Sequence, residues 1–209
     1  MSRLVVLIAL LTVAWPGSSA DLDDADEIVR RANLAAYYAG NDGRSEVRMI
    51  ISDAQGREQR RQFTILRRDV EDGGDQEFLV VFSRPSDVRN TVFLVQKRID
   101  ADDDRWLYLP GLDLVKRISA GDRRTSFVGA HYFYEDVSGR QPDEDKHEFV
   151  ETTDEHYVLK HTPVDPLTVE FTHCLTWIDK STFLPMTIDY VNSSNSTYRR
   201  IEALEVEDI

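Results

Sequence analysis

Residues 104–137 read DRWLYLPGLDLVKRISAGDRRTSFVGAHYFYEDV. Trp106, Leu107, Tyr108 and Leu109 form an aromatic, apolar strand that runs into a Pro110-Gly111 turn. Val115, Lys116, Arg117 and Ile118 lead the chain back. Phe127, Tyr132, Phe133 and Tyr134 then cluster around Gly129 and are closed by Glu135 and Asp136. The stretch contains neither an activated nucleophile nor the spacing of a metal cage.

Outward from this stretch the pattern stays β. Turn residues recur at hairpin-like intervals, at Asn41 to Gly43, Asp53 to Gly56, Asp72 to Gly74 and Ala120 to Asp122. Strands are expected at Ser45–Ile51, Gln59–Arg68, Glu77–Ser83, Thr91–Ile99, Arg105–Leu109, Leu114–Ser119, Glu148–Thr153, His156–Thr162, Val169–Ile178, Met186–Val191 and Tyr198–Val206. In the ninth, Val169, Phe171, His173, Leu175 and Trp177 share one face, and Glu170, Thr172, Cys174 and Thr176 the other. Alternation of that kind marks an antiparallel sheet with one dry and one wet face. Arg84–Asn90 and Gln141–Lys146 read as loops too short to be domain linkers, and no internal repeat is present. One helix is expected over Ile28–Ala39, started by Asp24 and Glu27 and stopped at Gly40. Its stripe of Ile28, Ala32, Ala35 and Tyr38 has small residues that let it lie close to a sheet.

The first twenty residues read as a cleaved secretory signal. Arg3 precedes the apolar run Leu4–Ala14, and Pro16-Gly17 leads to the small residues Ser18, Ser19 and Ala20. Residues 21–209 are the size of a single domain with a sizeable core. The formal net charge of −13 becomes −14 once Arg3 is removed, which opposes nucleic acid and anionic surfaces as general partners. Cys174 is the only cysteine, so no internal disulfide can form and stability must come from packing. It reads as a small apolar strand residue.

Enzymatic motifs are missing: there is no nucleophile elbow, phosphate loop or zincin pair. His156 and His161, five apart on a strand, point to opposite faces and do not share a metal easily. The run Asp100, Asp102, Asp103, Asp104 begins like a calcium loop. It lacks the required Gly, having Arg105, and the closing Glu, having Gly111. Glu135 and Asp136 are expected to bond backbone or arginine and pin the segment that carries them. Arg57, Arg60, Arg61, Arg67 and Arg68 are open to two readings, a headgroup-binding patch or a solvated strand face. Neither metal nor cofactor is expected.

Three elements arrive together: Trp106 to Pro110, Val115 to Ile118, and Phe127-Val128-Gly129 followed by Tyr134-Glu135-Asp136. In order and spacing they resemble the outer-membrane lipoprotein-sorting family, the LolA-like periplasmic lipid carriers. The Ser-Asp pair that follows the glycine in that family is replaced here by Ala130 and His131. The resemblance implies a mainly β (α+β) fold, a curved antiparallel sheet forming an incomplete β-barrel, with helices covering its concave hydrophobic face. It implies that Phe127–Val137 is a covering element rather than a strand. It points to Phe93, Trp106, Tyr108, Phe127 and Phe133 as lipid-binding residues, with Gly129 as hinge. Whether Trp106 or Leu107 faces inward is open, because a one-residue slip swaps the faces. The implied function is non-enzymatic: a periplasmic carrier shielding lipoprotein acyl chains or other lipids on the way to the outer membrane. Its partners would be lipid or lipoprotein acyl chains and an inner-membrane transporter or an outer-membrane acceptor protein. The alternative is a periplasmic sensor or adaptor that docks a protein partner or a lipid-exporting transporter.

Overall fold

The computed structural model describes residues 22–207, so the expected signal over 1–20 lies outside the described residues. Helix α1 spans Ala25–Tyr37. Asp24 Oδ1 accepts hydrogen bonds from the backbone N–H groups of Asp26 and Glu27, at 3.0 and 3.2 Å, satisfying donors that the first turn leaves open. The helix begins earlier than expected because Asp24 caps it directly. At its end the Arg67 guanidinium donates to Tyr37 O, the last helical carbonyl, and to Ala39 O and Gly40 O just beyond the helix at 2.8 and 2.6 Å.

Eleven strands follow in two antiparallel meanders. The first sheet holds β1 (Asp42–Ser52), β2 (Glu58–Asp69), β3 (Gln76–Arg84), β4 (Val92–Lys97), β5 (Asp104–Leu109) and β6 (Leu114–Ile118), in sequence order. The second holds β7 (Asp145–Thr152), β8 (His156–Pro163), β9 (His173–Asp179), β10 (Pro185–Val191) and β11 (Thr197–Glu202). Neither sheet closes on itself. The architecture is the open, mostly β arrangement with few helices that the sequence suggested.

The segment between the sheets is not a strand. It makes one isolated bridge, Ser126 to Phe133, and then the short helix α2 (Tyr134–Ser138). Gly129 has φ +88, a backbone region that L side chains rarely adopt, which is where the segment turns. Phe127 is fully buried under the first sheet. Its ring centroid lies 5.7 Å from Phe82, 5.5 Å from Phe93 and 5.5 Å from Tyr134. Phe63, Phe78, Val80, Val95, Leu107 and Ile118 complete that core.

Register settles which face each strand turns inward. Leu107 pairs with Phe93, and both are buried. Trp106 pairs with Leu94 and Tyr108 with Val92, on the outer face of the sheet. The alternation assigned to the ninth strand is also corrected. Strand β9 starts at His173 rather than Val169, and Cys174, Thr176 and Ile178 point inward while Leu175 and Trp177 are half-exposed. The period breaks at Thr172, whose N–H and Oγ1 both donate to Val191 O, at 2.8 and 3.0 Å. Phe171 is buried before that break and Cys174 after it.

Candidate functional site: a cavity between α1 and the second sheet

Helix α1 lies against the inner face of the second sheet, where Ile28 and Ala32 pack on Tyr157, Leu159 and Ile178. Small residues on one stripe bring the helix close without filling the space beside it. What remains is a cavity of about 430 Å³, within the range of small-molecule sites. Val29, Ala32 and Ala36 line it from α1, Thr176 and Ile178 from β9, Met186, Ile188 and Tyr190 from β10, and Ile201 from β11. A wider depression of about 700 Å³ adjoins it and shares Val29, Asn33, Pro142, Asp145 and His147 as walls.

An ionic clasp forms the end of the cavity near α2. Glu135, buried, accepts from Arg124 at 2.6 Å and lies 3.4 Å from Arg140 and 3.8 Å from Arg123. Burial alone would raise its carboxyl; Arg124, Arg123 and Arg140 outweigh burial and hold it below the usual range. Asp136 pairs with Arg199 and accepts from the Phe133 N–H at 2.6 Å, yet burial prevails and raises its carboxyl. Both carboxylates therefore pin the covering segment, one through three arginines and the other through backbone and Arg199. Arg124 also reaches Glu170 at 2.8 Å, and Arg140 reaches Asp145 at 2.8 Å. The short helix is thereby tied to the second sheet.

Two histidines stand in the cavity wall. His147 and His161 are cross-strand partners, with Nδ1 atoms 2.8 Å apart, a distance that needs one proton between them. His147 Nε2 donates to Pro142 O at 2.8 Å. Burial, then the neighbouring His147, pushes His161 down to about 3. Cys174 also faces the cavity, where burial pushes its thiol up to about 12, so it is an apolar wall rather than a nucleophile.

The residues singled out from sequence fall elsewhere. Phe93 and Phe127 sit in the closed core of the first sheet, Trp106 and Tyr108 on that sheet's outer face. Phe133 lies under the guanidinium groups of Arg124 and Arg199, 5.2 and 4.2 Å from its ring centroid. None of the five lines the cavity. Gly129 is at the far side, beside Ile51, Asp53, Arg57 and Gln59. Three arginines at the start of and within β2 are committed locally: Arg57, just before it, to Asp53 at 2.5 Å, Arg60 to Glu58 at 3.1 Å, and Arg68 to Glu77 at 2.6 Å. Asp103 pairs with buried Arg105 at 2.6 Å, and Asp104 with Arg117 at 2.5 Å, so two carboxylates of the acidic run serve ion pairs. Of the α1 stripe read from sequence, Ile28, Ala32, Ala35 and Tyr38, only Ala32 lines the cavity; the His147–His161 pair became visible only once the β7–β8 register was known.

A family described only as an uncharacterized protein matches residues 74–209. No curated protein matches the sequence. Among solved structures, an outer membrane lipoprotein-sorting protein domain from Vibrio parahaemolyticus superposes with a TM-score of 0.78 at 25% identity, over 88% of this chain and 79% of that one. A DUF1329 family protein from Desulfovibrio piger gives 0.75 at 28% identity, over 84% and 75%. A LolA superfamily protein from Nitrosomonas europaea gives 0.64 at 19% identity, over 88% and 79%, a likeness of fold alone.

Proposed function

This chain belongs to the family, described only as an uncharacterized protein, whose model matches residues 74–209, and it has the LolA-like fold of an outer membrane lipoprotein-sorting domain; we propose that it is an exported periplasmic carrier that shields acyl chains in the cavity between α1 and the second sheet. The observation that carries this reading is the apolar wall made by Ala32, Ala36, Ile178, Met186 and Ile188 beneath a single helix. An acyl chain needs only apolar volume and a cover, and each methylene taken from water contributes about 0.8 kcal/mol. Ordering the chain and displacing α1 offset much of that gain. Cys174 and His161 are cross-strand partners in the wall, but burial raises the thiol to about 12 and lowers the imidazole to about 3, so they do not form an activated pair. Export rests on the leader read at residues 1–20, and the sorting role on the named relatives.

Native mass spectrometry of the protein, purified from its host without detergent, tests the proposal. Adducts of lipid mass are expected. Ala36→Trp, at an exposed position of α1 that borders the cavity, should abolish them. Trp106→Arg, on the outer face of the first sheet, should not. A clean apo mass from wild-type protein overturns the carrier reading.

A second reading, an adaptor docking a protein partner, draws on that outer face. Leu94, Trp106, Tyr108 and Val115 form an apolar band there, with Val115 62% exposed. Under that reading Trp106→Arg would cost partner binding while leaving any lipid adduct in place.

A further inference from the structure

The apolar wall accounts for a hydrocarbon chain but not for whatever the chain is attached to. The charged and polar groups around the cavity constrain that second part.

Its cations are already neutralised. Arg124 is shared by Glu135 and Glu170, at 2.6 and 2.8 Å, and Arg140 is held by Asp145 at 2.8 Å. In the adjoining depression the one arginine, Arg30, bonds Glu27 at 2.7 Å. The other acidic walls there are Asp26, Asp72 and Asp143, besides Asp145, which Arg140 already holds. An incoming carboxylate or phosphate would pass an acidic rim and find both arginines that line the cavity, Arg124 and Arg140, already paired. Leaving water unpaired costs an anion far more than it costs an ester or an alcohol.

Uncharged hydrogen-bonding groups are available instead. Tyr190 and Thr176, 7% and 6% exposed, line the cavity, and neither hydroxyl has a hydrogen-bond partner among the described residues. Burial raises the Tyr190 phenol, so it stays a neutral donor. Neither oxygen is fully enclosed, so both hydroxyls open onto the cavity and can meet a ligand that supplies a carbonyl or hydroxyl oxygen.

We infer that the cavity selects uncharged amphiphiles, acyl esters of the monoacylglycerol type, over anionic amphiphiles of equal chain length. The acyl chain lies along Ala36, Met186 and Ile188, and the ester meets Tyr190 and Thr176. This inference rests on the carrier reading above.

Displacement of an environment-sensitive naphthylamine dye from the delipidated protein at neutral pH separates the two. Monolauroylglycerol should displace the dye at roughly one-tenth the concentration that laurate requires. Tyr190→Phe should narrow that gap by weakening the glyceride. The exposed pair Asp72→Lys with Asp143→Lys should narrow it by strengthening laurate. If laurate competes as well as the glyceride, the selectivity is overturned and the carrier reading stands. If wild-type protein binds neither dye nor glyceride, both fall together. A gap that neither set of substitutions alters overturns the assignment to this cavity.

Discussion

His161 sits in the cavity wall with its ring buried and its Nδ1 against that of His147. Its folded pKa of about 3 lies well below the unfolded value near 6.5, and burial is the main cause. The sign follows from proton uptake. Below about pH 6.5 the unfolded chain binds a proton that the folded chain refuses, so stability falls as the solution is acidified towards 3. The loss at pH 5 relative to neutrality is about 2 kcal/mol from this one ring. His161→Gln removes the titration, and urea unfolding at the two pH values should show the difference shrink by about that amount. An unchanged acid limb would mean that another group controls it.

At the scale of the element, α2 is five residues long and could not hold its shape alone. Its position comes from the arginines that converge on Glu135 and from Arg199 on Asp136. Gly139, which ends it, has φ +76, and a Cβ there would lie 2.5 Å from Tyr37 Cζ, so the end of α1 packs directly on the end of α2. Lys97 is fixed at the same junction, donating to Ser138 O at 2.8 Å with its ammonium 5.0 Å from the Tyr37 ring. Glu135→Ala would leave Arg123, Arg124 and Arg140 facing one another with their shared carboxylate gone. The expected destabilisation is about 3–5 kcal/mol, seen as a lower urea midpoint. A change below about 1 kcal/mol would mean the clasp is as loose as a surface ion pair.

For the whole molecule, the two sheets divide the work. The first is solid, filled by the Phe63–Phe82–Phe93–Phe127 cluster, and the second is hollow where α1 covers it. A ligand that fills the hollow should stabilise the fold by mass action, about 2.7 kcal/mol at a hundredfold excess over Kd. Thermal unfolding with monolauroylglycerol should show a rise in Tm that Ala36→Trp abolishes; equal rises in both proteins would place the ligand elsewhere. Among the described residues, the eleven strands and the one long helix were legible in sequence because they depend on local periods, turns and caps, while the non-strand nature of residues 127–137 came from the family resemblance. The residues of the cavity wall were not. Strand sequence alone leaves open which of two alternating sets faces in, and at Trp106/Leu107 and again at Leu175/Thr176 the bulkier residue faces out. Aromatic richness pointed to the first sheet, but aromatic rings fill space, and a hollow needs residues that do not. By itself the sequence determined a mainly antiparallel, disulfide-free, acidic chain with a LolA-like pattern. Only the tertiary structure decided which sheet is filled and which stays open. That outcome depends on pairing register and on where a short-side-chained helix comes to rest, and both are set by contacts between residues far apart in the chain.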